Sequence, residues 1–457
     1  MDAASGQRGK KVAELHLTGI AHGGEAFGHH DGKIVFVPYT IPGETVEVEI
    51  VEEKARWARA RLLHVVEPSP DRVDAPCPYF GPGLCGGCQW QHIDYERQLE
   101  LKREVVADQL KRLGRVADPP VEELIALADD DGLLDLGYRN HVQMVADVNG
   151  ALGFIRDAEG RTASDDSEDK HSRDMIAVDR CLLLHPLVDE LHQALVEGRL
   201  APVDLPEGSV EGEDDPVRLR KASLRAGIHT GQRLMLIETV GARQPPFAVE
   251  DLPVRVAFRE RDGSVVPLIG DPWLEEEVAG RTFRCAADGF FQVNTIGAEA
   301  MVDLALEMLA PQGHETLLDG YCGVGLFALS LARSVGQVIA VEESWVACED
   351  FAWNARDVDN VALFEGPFAE VLETFDAEER IHLAIIDPPR SGAGAEAVAQ
   401  LVRLGVPRLL YVSCDPATLA RDARLLIEAG YELQQVQPLD MFPQTYHIES
   451  MALFTLR

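Results

Sequence analysis

Cys414 ends the apolar run of YVSCDPATLARD, and a thiol there, once ionised, is a potent nucleophile. A thiolate that adds to an electron-poor ring forms a covalent adduct and so splits one hard substitution into two easier steps. The second step needs a base to remove a proton. Glu449 is the only acidic residue in the YHIESMALF segment, with His447 two residues away as the rival base. Asp387, in IIDPPRSG, ends another apolar run. Singly, each has an ordinary explanation: a small core thiol, a solvated glutamate near a carboxyl terminus, a strand-ending turn before two prolines. It is their coincidence behind a cofactor-type turn that points to catalysis.

That turn lies in LLDGYCGVGLFALSLA, where an apolar strand is expected to end at Asp319, Gly323 and Gly325 form a tight turn, and a helix begins near Leu326. Glycines let the backbone approach a ligand, and the helix start offers free N–H groups. Glu342 follows about twenty residues after the turn begins, at the end of the next strand, where it can accept hydrogen bonds from ribose hydroxyls. The pattern suits a dinucleotide or S-adenosylmethionine. Ala328 stands where the dinucleotide fingerprint has its third glycine, which tilts the reading to S-adenosylmethionine.

Of eight cysteines, Cys77, Cys85 and Cys88 crowd into CPYFGPGLCGGCQWQH and Cys181 follows in VDRCLLLHP. Four thiolates from one tight group and one distant position can hold a [4Fe–4S] cluster or a tetrahedral zinc, and spacing does not choose. Cys285, Cys322 and Cys348 read as packing residues.

The elements that must position these residues fall into three stretches. Over residues 9–70, short alternating apolar bursts broken by Gly, Asp and Pro predict a small β-barrel, with Lys54, Arg56, Trp57, Arg59 and Arg61 as a candidate nucleic-acid face. Residues 71–285 are expected to form a central mixed α+β domain. It contains the cysteines, an amphipathic helix from Tyr95 to Leu113, and a polar stretch near 157–174 that reads as a disordered insertion. The helix carries Arg97, Lys102, Arg103, Lys111 and Arg112, a possible RNA-facing surface. From 286 to 457, the runs TLLDGY, QVIAVE, LAIIDPP and RLLYVSC alternate with helical patterns and predict an α/β, Rossmann-like, doubly wound parallel sheet. The carboxyl ends of its strands open on one crevice, so Asp387 and Cys414 should both face the cofactor.

DGYCGVGLF, DPPRSG, YVSCDPATLARD and HIES, in this order, resemble the RNA uracil-5-methyltransferase family. The closer likeness is to its iron–sulfur members that modify 23S ribosomal RNA. VAELHLTGIAHGGEAFGHHDGKIVFVPYTIPGETV is similar to the family's N-terminal TRAM barrel, so the resemblance covers nearly the whole chain. It implies a class I S-adenosylmethionine-dependent methyltransferase domain, with Cys414 adding to carbon 6 of uracil and Glu449 taking the carbon-5 proton. It further implies that Gln292, Tyr321, Glu342 and Asp387 contact S-adenosylmethionine, and that Cys77, Cys85, Cys88 and Cys181 bind a [4Fe–4S] cluster. Three features depart from the family pattern. Leu326 stands where a cofactor-binding Asn is frequent, Asp415 follows the nucleophile where Asn is usual, and the seven-residue gap between Cys77 and Cys85 is longer than in bacterial members.

The charge conflicts with a polyanionic partner: 42 Lys and Arg against 77 Asp and Glu leave −35. A high-salt interior would reconcile the two, since exposed carboxylates keep a protein hydrated where phosphate attraction is already screened. No run approaches the roughly 18 apolar residues of a membrane helix, so a cytoplasmic monomer without a membrane partner is expected. The expected partner is RNA, 23S ribosomal RNA first and the transfer-RNA T-loop second. A cytosine-5 methyltransferase is an alternative, but the DNA enzymes of that kind carry a Pro-Cys nucleophile, and here Ser413 precedes Cys414. An RNA-binding iron–sulfur protein with a dead catalytic domain is the other, and it fits poorly with both Cys414 and Glu449 being present.

Overall fold

The computed structural model describes residues 11–129, 132–147, 150–157, 174–202, 218–242, 244–376 and 380–457. Most of the polar stretch near 157–174 lies outside them.

Alternate residues of Val12–Ile20 and Thr45–Glu53 are buried, the period-2 signature of a strand with one wet face. With Ala26–His30, Lys33–Val37 and Trp57–Glu67 they close a five-stranded barrel around Leu15, Leu17, Val35, Val37, Val46 and Val48. A second body is a seven-stranded, mostly antiparallel sheet running from Met175–Ala177 at one edge to Val265–Ile269 at the other. The helix Pro186–Val196 covers it with Val188, Leu191 and Ala194.

The third body positions the chemistry. Its sheet runs in the spatial order Val361–Glu365, Gln337–Glu342, Thr316–Gly320, Leu383–Ile386, Arg408–Ser413, Glu449–Leu456, Tyr431–Leu439. The first five strands are parallel, Glu449–Leu456 runs antiparallel to them, and the edge strand Tyr431–Leu439, antiparallel to Glu449–Leu456, returns to their direction. Leu383–Ile386 is buried at every position, as a strand covered by helices on both faces must be. Val361–Glu365, absent from the sequence reading, is the sheet's half-exposed edge, so its apolar signal is weak.

The helix Tyr95–Arg112 corrects one expectation. Lys102, assigned to a possible RNA-facing surface, is fully buried, and its Nζ lies 2.6 Å from Asp440 Oδ1. The helix is wedged against Pro416–Glu428 through Val105, Val106 and Leu110, so the face that holds Lys102 turns inward. Its other cations are largely answered from within the chain: Arg97 by Glu100 and Glu104, Arg112 by Asp108, Arg103 by the carbonyls of Val121 and Glu122. On the barrel, Arg59 faces Glu25, Arg61 Glu49 and Lys54 Glu52.

Candidate active site and thiol cavity

The strand Thr316–Gly320 ends in a turn whose backbone is unusual. Tyr321 has φ 61°, Gly323 54° and Gly325 98°, and Gly325 starts the helix Leu326–Leu331. A side chain other than hydrogen on Gly320 would strike Phe368, its Cβ 2.3 Å from the ring. Left-handed backbone at a non-glycine residue such as Tyr321 is a strained feature of the kind that clusters at ligand sites. Asp319 is fully buried: its Oδ2 accepts from Ala328 N at 2.7 Å, while its Oδ1 has no partner. Burial, then Asp387 and Glu342, push its carboxyl well above the usual range.

Glu342 closes the next strand. Its Oε2 accepts from Gly323 N at 2.8 Å, and its Oε1 from Glu343 N and Ser344 N at 3.0 and 2.8 Å. Three bonds leave capacity for a further donor on a carboxylate with about four acceptor sites. An orphaned buried carboxylate oxygen, a part-filled acid and a glycine turn fit the donor-rich sugar and amino-acid ends of S-adenosylmethionine. Gln292 Nε2 reaches Asp387 Oδ2 at 3.4 Å, and Asp387 N is held by Gly320 O at 3.2 Å, so Gln292, Asp387 and the turn converge. The cofactor-type residues expected from sequence therefore meet at the carboxyl edge of the sheet. Leu326 is buried in the core.

Cys414 and Glu449 arrive from strands that run in opposite directions. Ser413 pairs with Ser450 at the end of the ladder, so Cys414 and Glu449 are the next residues beyond it, facing each other where the parallel strands end. Glu449 is buried and Cys414 half-buried. Burial, then Glu449 and Asp387, push the Cys414 thiol up to about 12, against the pull of Arg390. Burial and then Asp387 raise Glu449 well above the carboxylate range, again opposed by Arg390, and burial carries Asp387 up to about 7. His447, the rival base, is driven down to about 3, by burial first and then by Arg390. Arg390 and Asp319 were not singled out from sequence, although both lie in motifs that were. The available signal was the lone cation of DPPRSG among so many carboxylates. Phe290, which was not singled out either, is two residues before Gln292 and 67% exposed.

The four candidate ligand cysteines line one cavity of about 60 Å³ together with Arg139 and Phe80. Cys85 and Cys88 are set there by a loop pinned to the central sheet, through Gly86 N to Ile155 O (3.0 Å) and Asp157 N to Leu84 O (2.8 Å). Cys181 comes from the stretch that bonds Gly137 and Arg139 through the carbonyls of Leu182 and Leu183. All four are free thiols. Among the described residues, no three His, Cys, Asp or Glu side chains are gathered to hold a metal ion. A cubane cluster binds each thiolate to a different iron, so thiols around a cavity, beside the half-buried guanidinium of Arg139, are a donor set that suits it.

The sequence profile described as tRNA (Uracil-5-)-methyltransferase matches residues 269–457, and that of the TRAM domain matches residues 9–63. An uncharacterized RNA methyltransferase of Streptomyces coelicolor is 34% identical over 96% of this chain and 92% of its own length. One from Halalkalibacterium halodurans is 32% identical over 98% of this chain and 97% of its own. Among solved structures, the tRNA (uracil-54, C5)-methyltransferase of Pyrococcus abyssi, in complex with S-adenosyl-L-homocysteine, superposes with a TM-score of 0.68 at 23% identity. That match covers 97% of this chain and 100% of the other, and it shows a shared fold. No helix among the described residues is long and apolar enough to cross a membrane.

Proposed function

The chain belongs to the RNA (uracil-5-)-methyltransferase family, and from that premise we propose that it methylates carbon 5 of one uridine in 23S ribosomal RNA through a covalent adduct on Cys414. The observation that supports this most is the antiparallel register that sets Glu449 against Cys414 beyond the Ser413–Ser450 pair. The Cys414 thiolate adds to carbon 6 of the ring, and the electron pair of the carbon 5–carbon 6 bond moves to an enolate. S-adenosylmethionine, held by Gln292, Tyr321, Glu342 and Asp387, supplies the methyl group. Glu449 then takes the carbon-5 proton, the double bond re-forms and the thiolate leaves. His447, held neutral far below neutral pH, is the weaker base. Arg390 is the cation that offsets the carboxylates around the thiol. The exposed ring of Phe290 suits stacking on a displaced base.

In this reading the enzyme is a cytoplasmic monomer. Residues 9–70 form an RNA-binding barrel, 71–285 a central domain with a [4Fe–4S] cluster on Cys77, Cys85, Cys88 and Cys181, and 286–457 the catalytic domain. Four thiols on one cavity support a thiolate-held metal centre, and the resemblance to iron–sulfur members favours a cluster over tetrahedral zinc. The cluster reading supports ribosomal over transfer RNA, because the resemblance is to iron–sulfur members that act on 23S RNA. The transfer-RNA T-loop is the second reading, favoured by the fold shared with the tRNA (uracil-54, C5)-methyltransferase of Pyrococcus abyssi.

The deciding experiment follows the two roles apart. Cys414→Ala should neither methylate RNA nor crosslink to it. Glu449→Gln should accumulate a denaturant-resistant protein–RNA adduct carrying a methyl group, because the carbon-5 proton stays and elimination is blocked. Normal turnover by Glu449→Gln, or methylation by Cys414→Ala, would refute the mechanism. Mass spectrometry of ribosomal and transfer RNA from a deletion strain identifies the substrate.

A further inference from the structure

The turn after Cys414 is held from outside the catalytic domain. Asp415 uses its two carboxylate oxygens for different tasks. Oδ1 caps the helix Pro416–Glu428, accepting from Ala417 N at 2.9 Å and Thr418 N at 3.0 Å. Oδ2 lies 3.4 Å from Nε2 of His22, which belongs to the barrel turn between Val12–Ile20 and Ala26–His30. That turn is itself fixed. Ala21 N donates to Glu25 O at 2.9 Å, Gly24 N to Ala21 O at 3.0 Å, and Trp90 Nε1 to Gly24 O at 3.0 Å. A Cβ on Gly24 would sit 2.7 Å from Tyr446, so the barrel turn also packs against the loop leading to Glu449.

The charges around this contact give it a purpose. Among the described residues, the carboxylates of Glu449, Asp387 and Asp415 bear on the Cys414 thiol against the guanidinium of Arg390. Thiolate formation is therefore opposed by every neighbouring acid that is left uncovered. Asp415 is held below the usual carboxylate range, against the effect of burial, by His22 and by the backbone of Thr418 and Ala417. The other groups near the His22 ring are His447, on which it acts at longer range, and Glu25 in its own turn, which is turned to Arg59.

We propose that His22 is a positioning residue for methyl transfer: from the barrel its ring holds the outer oxygen of Asp415, steadies the turn that presents Cys414, and covers a negative charge beside the forming thiolate. The barrel is then part of the catalytic assembly as well as an RNA-binding module. This rests on the reading of Cys414 as the nucleophile.

The test uses full-length enzyme with transcribed 23S ribosomal RNA and, in parallel, transfer RNA, each made with 5-fluorouridine. The maximal single-turnover rate of adduct formation and the RNA concentration at half-saturation are measured separately. His22→Gln should lower the maximal rate about tenfold, the scale of a misplaced reacting group, with half-saturation within about twofold of wild type. His22→Lys, which sets an N–H donor and a positive charge against Asp415, should recover at least half of the loss. Asp415→Asn keeps the helix cap and removes the charge, so His22→Gln in that background should cost less than about twofold. Both changes are nearly isosteric, and melting curves establish that the variants are folded. Multiplicative losses in the double variant, or an effect of His22→Gln confined to half-saturation, would overturn the proposal. Cys414→Ala in the same assay bears on the underlying reading: adduct without the thiol defeats that reading, whereas a wild-type rate for His22→Gln defeats only the role of His22.

Discussion

At the scale of single residues, the Asp387–Glu449 pair states what the site costs the fold. Both carboxyls hold a proton more tightly in the folded chain than in the unfolded one, Asp387 rising from an ordinary 3.8 to about 7 and Glu449 well above its ordinary range. A raised value means that the folded state binds protons more tightly than the unfolded one. The favourable contribution is complete below the ordinary carboxylate range and is lost as pH rises through 7. Asp387→Asn removes that loss. Its melting temperature should sit near wild type at pH 5 and above it at pH 8.5, with the gap widening between. A gap that is constant or reversed across that range would mean that the pair does not titrate as described. The types Cys414, Asp387 and Glu449 were legible from sequence because each ends or begins an apolar run. Arg390 was not, since an arginine in a loop has no signature until its neighbours in space are known.

At the scale of elements, the loop that delivers Glu449 is anchored by a helix more than 300 residues earlier. Lys102 Nζ bonds Asp440 Oδ1 and Phe442 O, at 2.6 and 3.0 Å. Gln98 and Gln444 exchange bonds of 3.0 and 3.1 Å. A buried charge left without its partner typically costs about 3–5 kcal/mol, whereas replacing both partners by apolar groups costs much less. Lys102→Met should therefore destabilise the protein by about that amount in urea denaturation, and Lys102→Met with Asp440→Leu should restore part of it. A single variant within about 1 kcal/mol of wild type would show that the pair is not the anchor. Sequence displayed the helix and its length well. It could not show that Lys102 turns inward while the helix's other cations stay at the surface, because amphipathicity marks the apolar face and does not say which polar residue the rest of the fold will cover.

At the scale of the molecule, the thiol cavity lies where the segment that follows the barrel meets the central sheet. Tyr39 of the barrel region donates to Gly81 O at 3.2 Å and to Asp157 Oδ2 at 2.6 Å, flanking the cysteine loop. A cluster there would tie the two bodies together. Protein purified without oxygen should hold roughly four irons with matching sulfide, and Cys181→Ser should lose most of them and melt at a lower temperature. Stoichiometric zinc with no iron would reverse the assignment. The Cys181 experiment is informative because this residue alone comes from the second stretch, so its loss separates cluster binding from folding of the 77–88 loop.

What the sequence determined by itself was whatever depends on local order: the period-2 bursts of the barrel, the buried parallel strands, the glycine turn at 320–325, and reactive residues at strand ends. These follow from backbone geometry and hydrophobic periodicity over a few residues. What only tertiary structure decided was which distant residues meet. The antiparallel return of Glu449–Leu456 sets Glu449 beside Cys414, two stretches about ninety residues apart converge on one thiol cavity, and a barrel turn brings His22 to Asp415, almost 400 residues away. Those pairings depend on strand order and on how separate bodies pack. Such contacts follow from the burial of whole surfaces, and no short window of sequence records them.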